Sequence, residues 1–110
     1  MPLTTITTDQ QLATLINVFS VDPVHQQQLV QVLVDATERV IRHQPGFISA
    51  NIHASLDGTK VVNYAQWATR GDFEAMRADP EARAHMNQCA EIAKSFDPMI
   101  CEVVFAEGHA

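Results

Sequence analysis

The chain has 110 residues, 46% apolar and 18% charged, with a formal net charge of −6. That length sets a single domain, and the composition is that of a globular chain rather than a disordered one. The seven basic residues are scattered between Arg39 and Lys94 instead of forming the basic stripe that nucleic acid requires.

The N-terminal MPLTTITTDQQ lacks the basic and apolar segments of a signal peptide, and no apolar run approaches the ~20 residues that span a bilayer. A cytoplasmic protein without membrane contact is expected. A chain this short buries only about two-thirds of the surface its unfolded form exposes, so a second subunit would add stability. Cys89 and Cys101 are too far apart for a CxxC pair and are read as buried thiols.

Residues 1 to about 11 are rich in Thr and Gln and read as a frayed arm, followed by a strand over Leu12 to Val21. Asp22-Pro23 is a helix start, with Asp22 as cap and Pro23 at the first helical position, where its missing N–H costs nothing. Leu29, Leu33, Ala36 and Val40 fall on one helical face, and the helix is expected to end near Gln44, ahead of Pro45-Gly46. Phe47 to Leu56 and Thr59 to Trp67 read as strands joined by Asp57-Gly58 in a type I′ hairpin. Gly71 and Asp72 open a short helix through Arg77, broken at Ala78-Asp79-Pro80. A further helix is expected from Glu81 to Ser95, stopped by Asp97-Pro98, with a last strand over Ile100 to Phe105. The order βαββαβ gives an α+β fold, the ferredoxin-like split βαβ, with helices on one face of an antiparallel sheet.

A two-residue turn sets Leu56 opposite Thr59, Ala54 opposite Val61, Ile52 opposite Asn63, Ala50 opposite Ala65 and Ile48 opposite Trp67. The paired residues form an apolar face toward the helices. Asn63 is the strongly polar side chain on that face, where an unpaired amide costs roughly 1–3 kcal/mol. Ala50, Ala54 and Ala65 leave room for a ligand beside it, and Trp67 adds an apolar wall with one donor. Asn17 repeats the pattern between Leu15 and Phe19, so two amides point to a site. The competing reading is a structural polar pair in which Asn17 and Asn63 satisfy each other or nearby backbone.

His85 joins Cys89, Ile92 and Phe96 on a helical stripe, although a lone histidine at a helix margin is more often a satisfied core residue than a base or ligand. Phe73, Met76, Met86 and Met99 are candidate walls of an apolar cavity. His53, Tyr64 and Gln66 lie on the opposite face of the hairpin, read as a subunit interface, while His25, His43 and His109 read as surface residues. No histidine–carboxylate spacing matches a metal site, and there is no phosphate loop or nucleophile elbow.

The run HASLDGTKVVNYAQW, His53 to Trp67, resembles the central hairpin of the cofactor-independent anthrone monooxygenases of the antibiotic biosynthesis monooxygenase family. Gln44 to Ala50 and the first strand are similar too, so the likeness spans roughly residues 14 to 105 of a single domain, 1–110, whose core is about 12–106. The resemblance implies a homodimer, a dimeric α/β-barrel assembly of packed sheets, with a pocket between sheet and helices in each subunit. It implies oxidation of an anthrone-like aromatic to a quinone with molecular oxygen as co-substrate and no prosthetic group or metal. The family's functional residues match Asn17, Asn63 and Trp67; beside them, the patterning above makes Phe73, Met76, His85 and Met86 the expected substrate contacts. Phe73 stands where one subgroup has a tyrosine, and Arg83 and His85 are approximate matches to an arginine on the next helix. Two other readings stay open: a haem-degrading enzyme of the same fold with His85 on the iron, and a non-catalytic dimer that binds an aromatic ligand.

Overall fold

The computed structural model describes residues 3–109. Strand β1 covers Ala13–Ser20. Asp22 then accepts a hydrogen bond from Val24 N–H at 3.2 Å, and Pro23 opens the next turn as the sequence predicts. That turn is a 3-10 turn over Pro23–His25, and helix α1 follows it as Gln26–Arg39, burying Leu29, Leu33 and Ala36. The helix stops short of Gln44. Val40 leaves helical geometry at φ −127° while staying in the core, a 3-10 turn covers Ile41–His43, and Gln44 is extended ahead of Pro45.

Strands β2 (Phe47–Ala54) and β3 (Lys60–Trp67) pair antiparallel with the expected partners Ala54 and Val61, Ile52 and Asn63, and Ala50 and Ala65. The ends of the hairpin differ from expectation. Its loop is Ser55 to Thr59 rather than two residues, so Leu56 and Thr59 are not partners, and Leu56 is exposed. A type I′ turn needs positive φ at two residues, and here only Gly58 supplies it, at 82°. The Asp57 carboxylate organises the loop instead, accepting from Ser55 Oγ at 2.8 Å, Thr59 N–H at 3.0 Å and Thr59 Oγ1 at 2.7 Å. At the other end a bulge leaves Ile48 unpaired and 45% exposed, and Phe47, not Ile48, stands opposite Trp67.

Helix α2 is Arg70–Ala78, starting before Gly71 because Thr69 caps it by accepting from Asp72 N–H at 3.0 Å. Helix α3 is Pro80–Ile92, capped by Asp79 through Ala82 N–H at 3.0 Å, and it ends three residues before Ser95. The last strand is the largest departure from the sequence reading: β4 is Ser95–Cys101, not Ile100 to Phe105. Asp97-Pro98 lies inside it. The sheet order β2-β3-β1-β4 makes β4 an edge strand, where a proline is tolerated, and Lys94 N–H anchors its start on Ser20 O at 2.7 Å. Val104 and Phe105 lie beyond the strand, exposed.

All three strand pairings are antiparallel and the helices pack on one face, giving the expected ferredoxin-like α+β fold. The core divides in two. One cluster contains Ala13, Leu15, Ala65, Trp67, Phe73 and Met76, and the other Phe19, Val21, Leu29, Leu33, Val61 and Cys89. Cys89 and Cys101 are both free thiols. The opposite face of the sheet carries Ile16, Val18, Asn51, His53, Val62, Tyr64 and Met99, so Met99, expected in a cavity under the helices, is on the wrong side and 42% exposed.

The arm before β1 is not frayed along its length. Thr4 Oγ1 donates to Asn51 Oδ1 at 2.9 Å, and Gln66 Nε2 donates to Thr5 O at 2.8 Å, laying the arm across the outer face. Among the described residues no helix is long and apolar enough to cross a membrane.

Candidate functional site

Asn17 on β1 and Asn63 on β3 are direct cross-strand partners on the helix-facing side of the sheet. The rungs to one side, Leu15 with Ala65 and Ala13 with Trp67, belong to the first core cluster, and the rung to the other side, Phe19 with Val61, belongs to the second. The asparagine rung is therefore the seam between two oily layers, and the cavity lies over it. Both Oδ1 atoms are buried and accept no hydrogen bond among the described residues, so the two amides satisfy neither each other nor nearby backbone as a structural pair. Nearly all buried polar groups in protein interiors are paired, so two adjacent orphans single this rung out as a candidate ligand site.

The cavity has a volume of about 230 Å³. Leu15, Phe19, Leu33 and Ile41 form its inner walls, with Phe73 and Met76 from α2 and Met86 and Cys89 from α3. Arg77, Asn87, Ala90, Phe96 and Pro98, all with exposed surface, border its mouth. Apolar walls with a few convergent polar groups are the usual make-up of a small-molecule site. Burial raises the Cys89 thiol to about 11, so it stays protonated at neutral pH and is not a ready base.

Of the residues singled out in the sequence, the structure brings Asn17, Asn63, Phe73, Met76 and Met86 to this cavity. Trp67 and His85 are not among its lining residues. Trp67 is 1% exposed, with its ring edge-on to Phe47 at 5.6 Å and to Phe73 at 6.2 Å. It therefore stands behind Phe73 and braces that wall, and its indole N–H has no partner among the described residues. His85 is half-buried on α3 and does not border the cavity over the asparagine rung. Arg83 is exposed.

Sequence reasoning missed Arg77, Asn87, Phe96 and Pro98 as site residues. Arg77 follows Phe73 by four positions on α2, a spacing that puts both on one face, and its Cζ lies 5.5 Å from the Phe73 ring centroid. Phe96 and Pro98 were hidden by the misplaced last strand; once β4 is in register, Phe96 faces Phe19 and Pro98 faces Asn17.

The family model for antibiotic biosynthesis monooxygenase matches residues 13–88. The chain belongs to the antibiotic biosynthesis monooxygenase family. The resemblance read from the hairpin is thereby borne out, and other comparisons agree. The chain is 46% identical over 106 residues to the tetracenomycin-F1 monooxygenase of Streptomyces glaucescens, covering 96% of this chain and 94% of that one.

Among solved structures, the monooxygenase from the gene ActVA-Orf6 of Streptomyces coelicolor, in complex with nanaomycin D, superposes with a TM-score of 0.81 at 30% identity, covering 89% of this chain and 92% of that one. SnoaB, a cofactor-independent oxygenase from Streptomyces nogalater, shares the fold with a TM-score of 0.69 at 18% identity, covering 86% of this chain and 95% of that one. The ActVA-Orf6 monooxygenase, solved with nanaomycin D, thus has the sheet-and-helix layout described above.

Proposed function

We propose that this family member is a monooxygenase that oxidises an anthrone-like or related polycyclic aromatic to a quinone, using molecular oxygen and no prosthetic group. The observation that carries the reading is the pair of orphaned amides on the floor of an otherwise oily cavity. A hydroxylated anthrone offers a phenolic O–H that a bare Oδ1 accepts and a ketone oxygen to which an amide N–H donates. Asn17 and Asn63 grip those oxygens, and their N–H groups stabilise the enolate formed when the methylene loses a proton, as preorganised donors stabilise an oxyanion.

Triplet oxygen reacts slowly with closed-shell carbon, but a delocalised carbanion gives up one electron readily. Transfer to oxygen yields a substrate radical and superoxide, their combination gives a peroxide, and protonation with loss of water leaves the new carbonyl. The sum is one methylene and one O₂ giving one ketone and one water. Phe73, held by Trp67, supplies the flat wall along the ring, and the apolar lining keeps bulk water from the intermediates.

The test is oxygen uptake and quinone absorbance with a model anthrone, corrected for spontaneous oxidation, for wild type and Asn63→Ala. Loss of on the order of 10²-fold in turnover is expected from removing one preorganised donor. An alanine variant that works at the wild-type rate overturns the assignment.

The same reading includes a homodimer in the cytoplasm. A second copy would cover the outer sheet face, where Ile16 and Val62 line an apolar hollow and the buried Tyr64 hydroxyl lacks a partner. Light scattering is expected to give twice the chain mass, and Val62→Arg is expected to give the monomer.

A further inference from the structure

Among the described residues, the lining of the cavity is uncharged except at one point. Arg77 is the charged residue among those that border it, and it stands at the mouth with its side chain partly in solvent, whereas the Asn17 and Asn63 oxygens are buried. Its guanidinium is held over the Phe73 ring at 5.5 Å, the same ring that walls the cavity. Its carboxylate neighbour is Glu74 at 3.8 Å, with both side chains about half exposed (45% and 50%). An ion pair that long and that wet contributes little, so the fork of five N–H donors is left for another acceptor.

The mouth continues outward into a polar groove between α2 and α3. Glu74, Arg77 and Ala78 line it from one helix and Arg83, Met86 and Asn87 from the other, each set spaced i, i+3, i+4 so as to share a face. Arg77, Met86 and Asn87 border both the cavity and the groove, which makes the two continuous. The groove sets two guanidinium groups against one carboxylate in a chain whose net charge is −6. The inner cavity, at about 230 Å³, is smaller than the roughly 300–1,000 Å³ of pockets that enclose drug-sized ligands. A polycycle seated on the asparagines therefore projects toward Arg77.

We propose that Arg77, supported by Arg83, forms an anion subsite, and that the substrate carries a carboxylate at the end of its ring system remote from Asn17 and Asn63. This rests on the reading of the cavity as an aromatic-substrate site. Arginine suits the task because its planar fork meets both carboxylate oxygens at once. The consequence is orientation: amides at one end and a cation at the other determine which end of an elongated ring enters first, and so which carbon is presented for oxidation.

The test uses two unreactive probes of equal shape, anthracene-2-carboxylate and anthracene-2-carboxamide, titrated into wild type, Arg77→Gln, Arg77→Lys and Arg83→Gln with fluorescence or calorimetric readout. Wild type is expected to bind the carboxylate about tenfold more tightly than the carboxamide, the low end for a charge-assisted contact because the site is half exposed. Arg77→Gln is expected to abolish that preference, Arg77→Lys to keep part of it and Arg83→Gln to weaken it. Roughly 0.5 M salt is expected to weaken carboxylate binding and leave carboxamide binding unchanged.

Equal affinities in wild type, no binding of either probe, or a preference that survives Arg77→Gln each overturn the subsite. If Asn63-dependent anthrone oxidation persists in any of those cases, the subsite falls and the proposed chemistry stands. If the Arg77-dependent preference is found but no polycycle consumes oxygen, the chemistry falls and the subsite stands.

Discussion

Asn17 and Asn63 face each other across the β1–β3 ladder, and neither side-chain oxygen has a hydrogen-bond donor among the described residues although both are buried. A fold selected for stability alone would place apolar side chains on this rung, since each buried orphan costs roughly 1–3 kcal/mol. Replacing one of them should therefore separate stability from activity. Asn63→Leu is expected to raise the thermal midpoint of the ligand-free protein while reducing anthrone oxidation by about 10²-fold or more, and Asn17→Leu to behave alike. A parallel loss of stability and activity would mean that the amides serve the fold.

Much of this site was legible in the sequence because strand alternation is rigid. Leu15, Asn17 and Phe19 had to share a face, as did Val61, Asn63 and Ala65, so the two amides announced themselves as polar intruders before any fold was known. The hairpin centre was readable for the same reason, but its ends were not. Asp57-Gly58 fits a two-residue turn by composition, whereas the three hydrogen bonds accepted by the Asp57 carboxylate favour a longer loop. The bulge at Ile48 reversed the facing of Phe47 and so supplied Trp67 with its aromatic partner, which pairing by counting does not foresee. The last strand was misplaced because proline reads as a stop, a rule that weakens at a sheet edge and depended here on a strand order that one sequence does not print.

Trp67 acts on the cavity through Phe73, since its ring packs edge-on against Phe73 and Phe47 and does not itself line the space. Trp67→Phe is expected to fold and to lose activity as the Phe73 wall relaxes, with Trp67→Ala costing about 3–5 kcal/mol of stability through the void it leaves. Urea unfolding gives the second number. Full turnover in Trp67→Phe would reduce Trp67 to core packing.

Gly46 joins the end of the helical segment to β2 at a φ of 82°, and its carbonyl accepts from Ala68 N–H at 2.7 Å, pinning the open end of the hairpin. A side chain there meets two obstacles. Left-handed backbone costs an alanine roughly 1–2 kcal/mol, and a Cβ would collide with Cγ and Oδ2 of Asp72, whose own side chain accepts from the Thr69 cap of α2 at 3.0 Å. Gly46→Ala is expected to lower the thermal midpoint by roughly 5–10 °C. A midpoint within a degree of wild type would show that both the strain and the clash relax without cost.

Asp57 gives the fold a pH dependence whose sign follows from its hydrogen bonds. The backbone N–H of Thr59, then the hydroxyls of Thr59 and Ser55, favour the ionised carboxyl and lower its pKa from 3.8 to about 2. A group whose pKa is depressed on folding stabilises the native state while ionised, so its contribution is present above about pH 4 and disappears as pH falls through about 2. Asp57→Ala removes that contribution. The gap between wild-type and Asp57→Ala urea midpoints is expected to be largest near neutral pH, steady down to about pH 4, and progressively smaller from there toward pH 2. A gap that stays constant across that interval would mean that the loop is ordered by Gly58 and the strand pairing, with the carboxylate as a bystander.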